Sequence, residues 1–89
     1  LLAATAALTP GLAQATFVEA RAGLRPGTAD TLPFIGPSAA LPGLIYACGH
    51  FRNGALLAPL TAALVAQAVA GDVSDPAFSL VNPSRAGRL

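Results

Sequence analysis

The chain has 89 residues, enough for one domain at most. Hydrophobic residues make up 54% and charged residues 10%, well under the roughly 25% charged content of ordinary proteins. A small free-standing domain needs polar residues to cover its large relative surface, so this composition fits a piece of something larger or a membrane-embedded segment better than an independent domain. The net charge of +1 comes from five arginines and no lysine, which leaves no basic patch and excludes nucleic acid as a partner. A single cysteine, Cys48, excludes an internal disulfide and a cysteine-rich metal cluster, and points to a reducing, cytoplasmic compartment.

Leu1 to Leu8 is rich in Ala and Leu and predicts a helix. A chain that begins inside a helical run, at Leu1, is expected to be a fragment. Thr9-Pro10 offers a cap and a first-turn proline for a second short turn. The run from Leu1 to Ala15 ends in Ala-Gln-Ala, like a secretory cleavage site, yet no basic region precedes it. From Thr16 to Gly23, Phe17, Glu19 and Arg21 alternate with Val18, Ala20 and Ala22, which predicts a strand. Arg25 to Pro42 is punctuated by proline and glycine and predicts an irregular connection with a short extended piece at Leu32 to Ile35.

Leu44 to Cys48 is a short apolar run, which predicts a strand buried on both faces as in a parallel sheet. Cys48 is accordingly expected to be a small core residue. Gly49 to Gly54, GHFRNG, is a polar, glycine-bounded turn. Ala55 to Ala70 predicts a buried helix stopped by Gly71; it is too short for the roughly 20 residues of a membrane span. Asp72 to Leu89, with Pro76 and Pro83, predicts a partly ordered tail.

Between Thr31 and Gly71 the one formally charged residue is Arg52, at the point where an apolar strand gives way to an apolar helix. A guanidinium there calls for an anion or hydrogen-bond acceptors. A strand, glycine turn and helix present backbone N–H groups at a positive helix end, which suits a negatively charged ligand. A structural pairing of Arg52 with a carboxylate from elsewhere stands equally open. Arg25 ends the preceding predicted strand, and Pro26 biases it toward an extended backbone. It reads either as a ligand-binding arginine or as a solvated one.

Two blocks, RAGLRPGTADTLPFIGPS and GLIYACGHFRNGALLAPLTA, strongly resemble the C-terminal region of the glycine oxidases within the FAD-dependent D-amino-acid oxidase family. The resemblance runs from about Ala20 to Val69 and loosely over the first helix. It implies an α/β fold: the C-terminal portion of a Rossmann-like FAD-binding domain plus the last strand of an antiparallel substrate domain. Residues up to about 25 would close the substrate domain, 26–71 would return into the FAD domain, and 72–89 would be the tail.

The resemblance further implies that Arg25 grips a substrate carboxylate and that Arg52 lies beside substrate and flavin. His50, Phe51, Arg52, Asn53, Gly54, Ala55 and Leu56 would lie against the FAD ring, with no metal. The implied reaction is oxidative deamination of glycine or another small amino acid or amine, with O2 as electron acceptor and a place in thiamine biosynthesis. The implied partners are the missing N-terminal part of the same enzyme and, in the full-length form, further copies of it; no membrane is implied. The family's nucleotide-binding glycine motif is absent, so the chain by itself is expected to be inactive. Two departures stand out: Arg21 replaces a common Trp, and Ala55 replaces a larger aliphatic residue. A D-amino-acid dehydrogenase or sarcosine-type oxidase is the enzymatic alternative, and an apolar interaction or membrane module is the alternative outside enzymes.

Overall fold

The computed structural model describes residues 1–89. It is elongated, with extents of 51 × 22 × 21 Å and a radius of gyration of 17.9 Å. A compact domain of this length has a radius of gyration of about 12 Å. The excess reflects an N-terminal third with no buried residue and a C-terminal part that carries the only core.

The N-terminal third begins with α1, Leu2–Leu8, followed by a 3-10 turn over Pro10–Gln14 that starts on the expected proline. Neither buries a residue. The expected strand at Thr16 to Gly23 is not formed, and Phe17 and Val18 are exposed. Its alternation survives locally, since Glu19 and Arg21, two residues apart, pair at 2.7 Å. A strand exists only through hydrogen bonds to a neighbour, and the chain supplies none here.

The core part is built on a two-stranded antiparallel sheet. β1, Phe34–Pro37, pairs with β2, Ile45–Cys48, in the register Phe34 to Cys48 and Pro37 to Ile45. This corrects the expectation of a parallel strand buried on both faces. Apolar runs as short as Leu44 to Cys48 fit either sheet type, and here the partner is the segment directly before it in sequence. Ala47 and Cys48 are exposed, so Cys48 is not a core residue of this chain.

α2, Gly54–Val69, begins and ends one residue before its expected bounds and packs across both strands. Its inner face places Leu64, fully buried, against Ile35. Leu56, Leu60 and Val69 on the rest of the helix are exposed. No helix is long and apolar enough to cross a membrane.

The segment after Gly71 is not a loose tail. α3, Ala77–Val81, and a 3-10 turn at Pro83–Ala86 pack on β1. Phe78 and Val81, one helical turn apart, complete the core with Ile35 and Leu64, and Pro83 is buried beside them. Asn82 caps the last turn by accepting the Ser84 N–H at 2.9 Å. The last residue returns as well, with the Leu89 carbonyl accepting the Ala39 N–H at 2.8 Å.

Candidate functional site

The two sequence blocks meet. The Phe51 N–H donates to the Pro26 carbonyl at 3.0 Å, which ties the GHFRNG turn to the loop carrying Arg25. A second contact lies at Gly49, with φ 80, where Thr28 sits so close that an added Cβ would come 2.7 Å from its Cγ2. A third is Gly27, whose open side is filled by the Phe51 ring. Between the blocks lies a pocket of about 250 Å³ lined by Arg25, Gly27, Thr28, Thr31 and Phe51.

The backbone around this pocket is strained. Thr31 has φ 65 and Phe51 has φ 49, and no other non-glycine residue of the chain has a positive φ. A β-branched or bulky aromatic residue in the left-handed region is disfavoured by its own Cβ, and such residues persist where surrounding contacts impose them. Both line the pocket that contains Arg25.

The arginines expected to meet anions are free to do so. Arg25 and Arg52 are exposed and form no ion pair within the chain. The Arg52 guanidinium lies 5.3 Å from the Phe51 ring centroid, within cation–π range.

The turn leads straight into α2. Asn53 occupies the cap position but accepts no N–H through its side chain, and the first turn holds no acidic residue. The Leu57 N–H is taken by the Asn53 carbonyl, while those of Gly54, Ala55 and Leu56 have no acceptor in the chain. Three unpaired donors at the positive end of a 16-residue helix form a ready site for partial or full negative charge. His50 is half-buried and turned back on the helix, its Nε2 2.9 Å from the Thr61 Oγ1. That contact braces the turn against α2.

Sequence reasoning missed the contacts that hold the loop behind the pocket-lining Thr28 and Thr31. Asp30 is gripped by Arg85, whose Nε donates to Oδ2 at 2.6 Å and whose Nη2 donates to Oδ1 at 3.2 Å. The Thr28 hydroxyl and the Leu32 N–H also lie on Oδ1, at 3.0 and 3.1 Å. These bonds, that from Arg85 foremost, hold the Asp30 carboxyl well below the usual carboxylate range. Nothing in the sequence links two residues 55 positions apart; the only hint was the Thr-Ala-Asp-Thr turn chemistry.

Comparison with known proteins places the chain. Residues 1–68 match the family model described as FAD dependent oxidoreductase. The chain belongs to this family. It is 45% identical over 80 residues to the glycine oxidase of Geobacillus kaustophilus, a match covering 90% of this chain and 21% of that protein. It is 51% identical over 63 residues to the bifunctional protein ThiO/ThiG of a Nostoc species, covering 71% of this chain and 10% of that protein. The crystal structure of glycine oxidase from Geobacillus kaustophilus superposes with a TM-score of 0.67 at 40% identity, over 96% of this chain and 23% of that one. The chain thus spans about a quarter or less of the relatives it matches.

Proposed function

We propose that this segment supplies the carboxylate-binding side and the flavin-facing helix of an amino-acid oxidase acting on glycine or a similarly small amine. In this reading residues up to about 25 close a substrate domain, 26–71 return into an FAD domain, and the enzyme works in the cytoplasm with O2 as acceptor. A place in thiamine biosynthesis goes with the same reading. The observation that carries it is the meeting of the two blocks. An arginine without an ion pair in the chain and both strained residues line one small pocket beside the start of α2.

The residues present fit a flavin. The free N–H groups of Gly54, Ala55 and Leu56 would help hold the flavin by favouring negative charge beside the helix start. Bound FAD would supply the two-electron oxidant for the substrate Cα–H bond. Arg25 would take the substrate carboxylate through its planar fork and so fix the orientation of the Cα. Arg52, stacked on Phe51, would add positive charge on the flavin side. His50 would hold the turn rather than move a proton, because its Nε2 is engaged by Thr61. The chain offers no general base in the pocket, in keeping with a reaction carried by orientation and the cofactor.

The test uses the longer polypeptide that carries this segment, loaded with FAD. Arg25→Ala removes a two-pronged charged contact worth roughly 2–5 kcal/mol, so glycine affinity should fall by about thirtyfold to several thousandfold. Arg25→Lys should recover part. Flavin content, and turnover of an amine without a carboxylate such as ethylamine, should change little. If Arg25→Ala weakens glycine and ethylamine equally, or leaves glycine kinetics untouched, the carboxylate assignment is wrong.

A further inference from the structure

Arg85 lies beyond the stretch matched by the family model, yet it grips Asp30, which sits in sequence between the pocket-lining Thr28 and Thr31. Its side chain is 18% exposed, and four features hold it. The fork is bidentate on Asp30, Nη2 bonds the Leu32 carbonyl, and Nη1 bonds the Asn82 carbonyl at 3.1 Å. The guanidinium also lies 4.2 Å from the Phe34 ring centroid. An arginine with all these partners occupied is anchored, and it transmits that anchoring to whatever it grips.

The gripped element is the turn Thr28 to Leu32. Asp30 and Leu32, the residues on either side of Thr31, are both bonded to Arg85. Thr31 lies between them in the left-handed conformation that a β-branched residue resists. Thr28 is fixed by the same carboxylate and by the Leu32 carbonyl, at 2.7 Å, and its methyl presses on Gly49. The contacts form a continuous series from the C-terminal segment through Asp30 and Thr28 to the GHFRNG turn. Thr28 and Thr31 are pocket walls.

We propose that Arg85 is a positioning residue for the substrate carboxylate. Its grip on Asp30 holds the strained Thr28–Leu32 turn in place and so fixes the shape of the pocket into which Arg25 binds the carboxylate. This rests on the reading of Arg25 given above. Phe78 and Val81 dock the C-terminal segment through the core independently of Arg85.

The experiment uses the FAD-loaded longer polypeptide and acetate, the carboxylate of glycine without its amine, titrated by the change in flavin absorbance. Arg85→Ala should raise the acetate Kd and the glycine KM together by roughly three- to thirtyfold. Saturating kcat, ethylamine turnover and FAD content should stay near wild type. Arg85→Lys keeps the charge without the fork and should give a smaller rise of the same kind. It also stands in for the alanine variant if that protein does not fold. Arg25→Ala, run in parallel, tests the underlying reading. If it leaves acetate binding intact, that reading fails, whereas loss of acetate binding in Arg25→Ala with none in either Arg85 variant overturns the present proposal alone. A matched loss of glycine turnover, ethylamine turnover and flavin would also overturn it, since a merely structural role predicts that pattern.

Discussion

At Gly49 two physical demands coincide. The backbone is left-handed, with φ 80, and the Thr28 methyl fills the space that a Cβ would need. Gly49→Ala therefore meets both a conformational cost of roughly 1–2 kcal/mol and a clash that pushes Thr28 out of the pocket wall. In the FAD-loaded longer polypeptide the glycine KM should rise. Adding Thr28→Ser, which removes the methyl and keeps the hydroxyl on Asp30, should restore part of the loss; no restoration would show that the clash is not what matters. Asp30 makes a second prediction at this scale. Its carboxyl is depressed below the ordinary 3.8 by bonds that exist only in the folded state. Its contribution is therefore complete above that value and is lost as pH falls through the lower folded value. Asp30→Asn should lower the melting temperature by a constant amount from about pH 5 to about pH 8, and the gap from wild type should close in stronger acid. A gap that widened on acidification would contradict the assignment.

Among the elements, α2 separates what a sequence can show from what it cannot. Its 16 residues are apolar all round, and such a helix is covered on every side in its working protein. Leu64 is fully buried here, while Leu60 is 44% exposed. In the longer polypeptide both Leu64→Ala and Leu60→Ala should destabilise, each by about 2–5 kcal/mol, read as a drop in melting temperature. A neutral Leu60→Ala would mean that the outer face stays in water. The helix itself was legible to within one residue because Gly54 and Gly71 bracket a long, mostly apolar, Ala- and Leu-rich run. The alternation of Glu19 and Arg21 was legible too, but a strand also needs a partner, and pairing is a long-range property. For the same reason β2 was expected in a parallel sheet, whereas in this chain it pairs antiparallel with β1. Phe78 and Val81, spaced by one helical turn, carried a signal for α3 that the flanking prolines obscured. Arg25, Arg52 and the GHFRNG turn could be singled out because isolated charge and paired glycines stand out in an apolar chain. Thr31, Asp30 and Arg85 could not, since their importance comes from a backbone angle and a contact across 55 residues.

As a whole molecule the chain buries eight of its 89 residues and leaves Leu8, Phe17, Val18, Leu24 and Leu56 among those in water. The core does not extend to the N-terminal third, where no residue is buried. Under the function proposed above, that apolar surface would lie in the interior of a larger flavoenzyme, with this segment as one wall of its active site. The most direct measurement is a chimera: residues 1–89 exchanged for the matching stretch of the Geobacillus kaustophilus glycine oxidase, assayed for bound FAD and for peroxide formed from glycine. The expected result is a yellow protein with stoichiometric FAD that oxidises glycine and whose affinity for glycine, but not its flavin content, falls on Arg25→Ala. A folded chimera that holds FAD yet is inert toward glycine, or one whose glycine kinetics are untouched by Arg25→Ala, would contradict that reading.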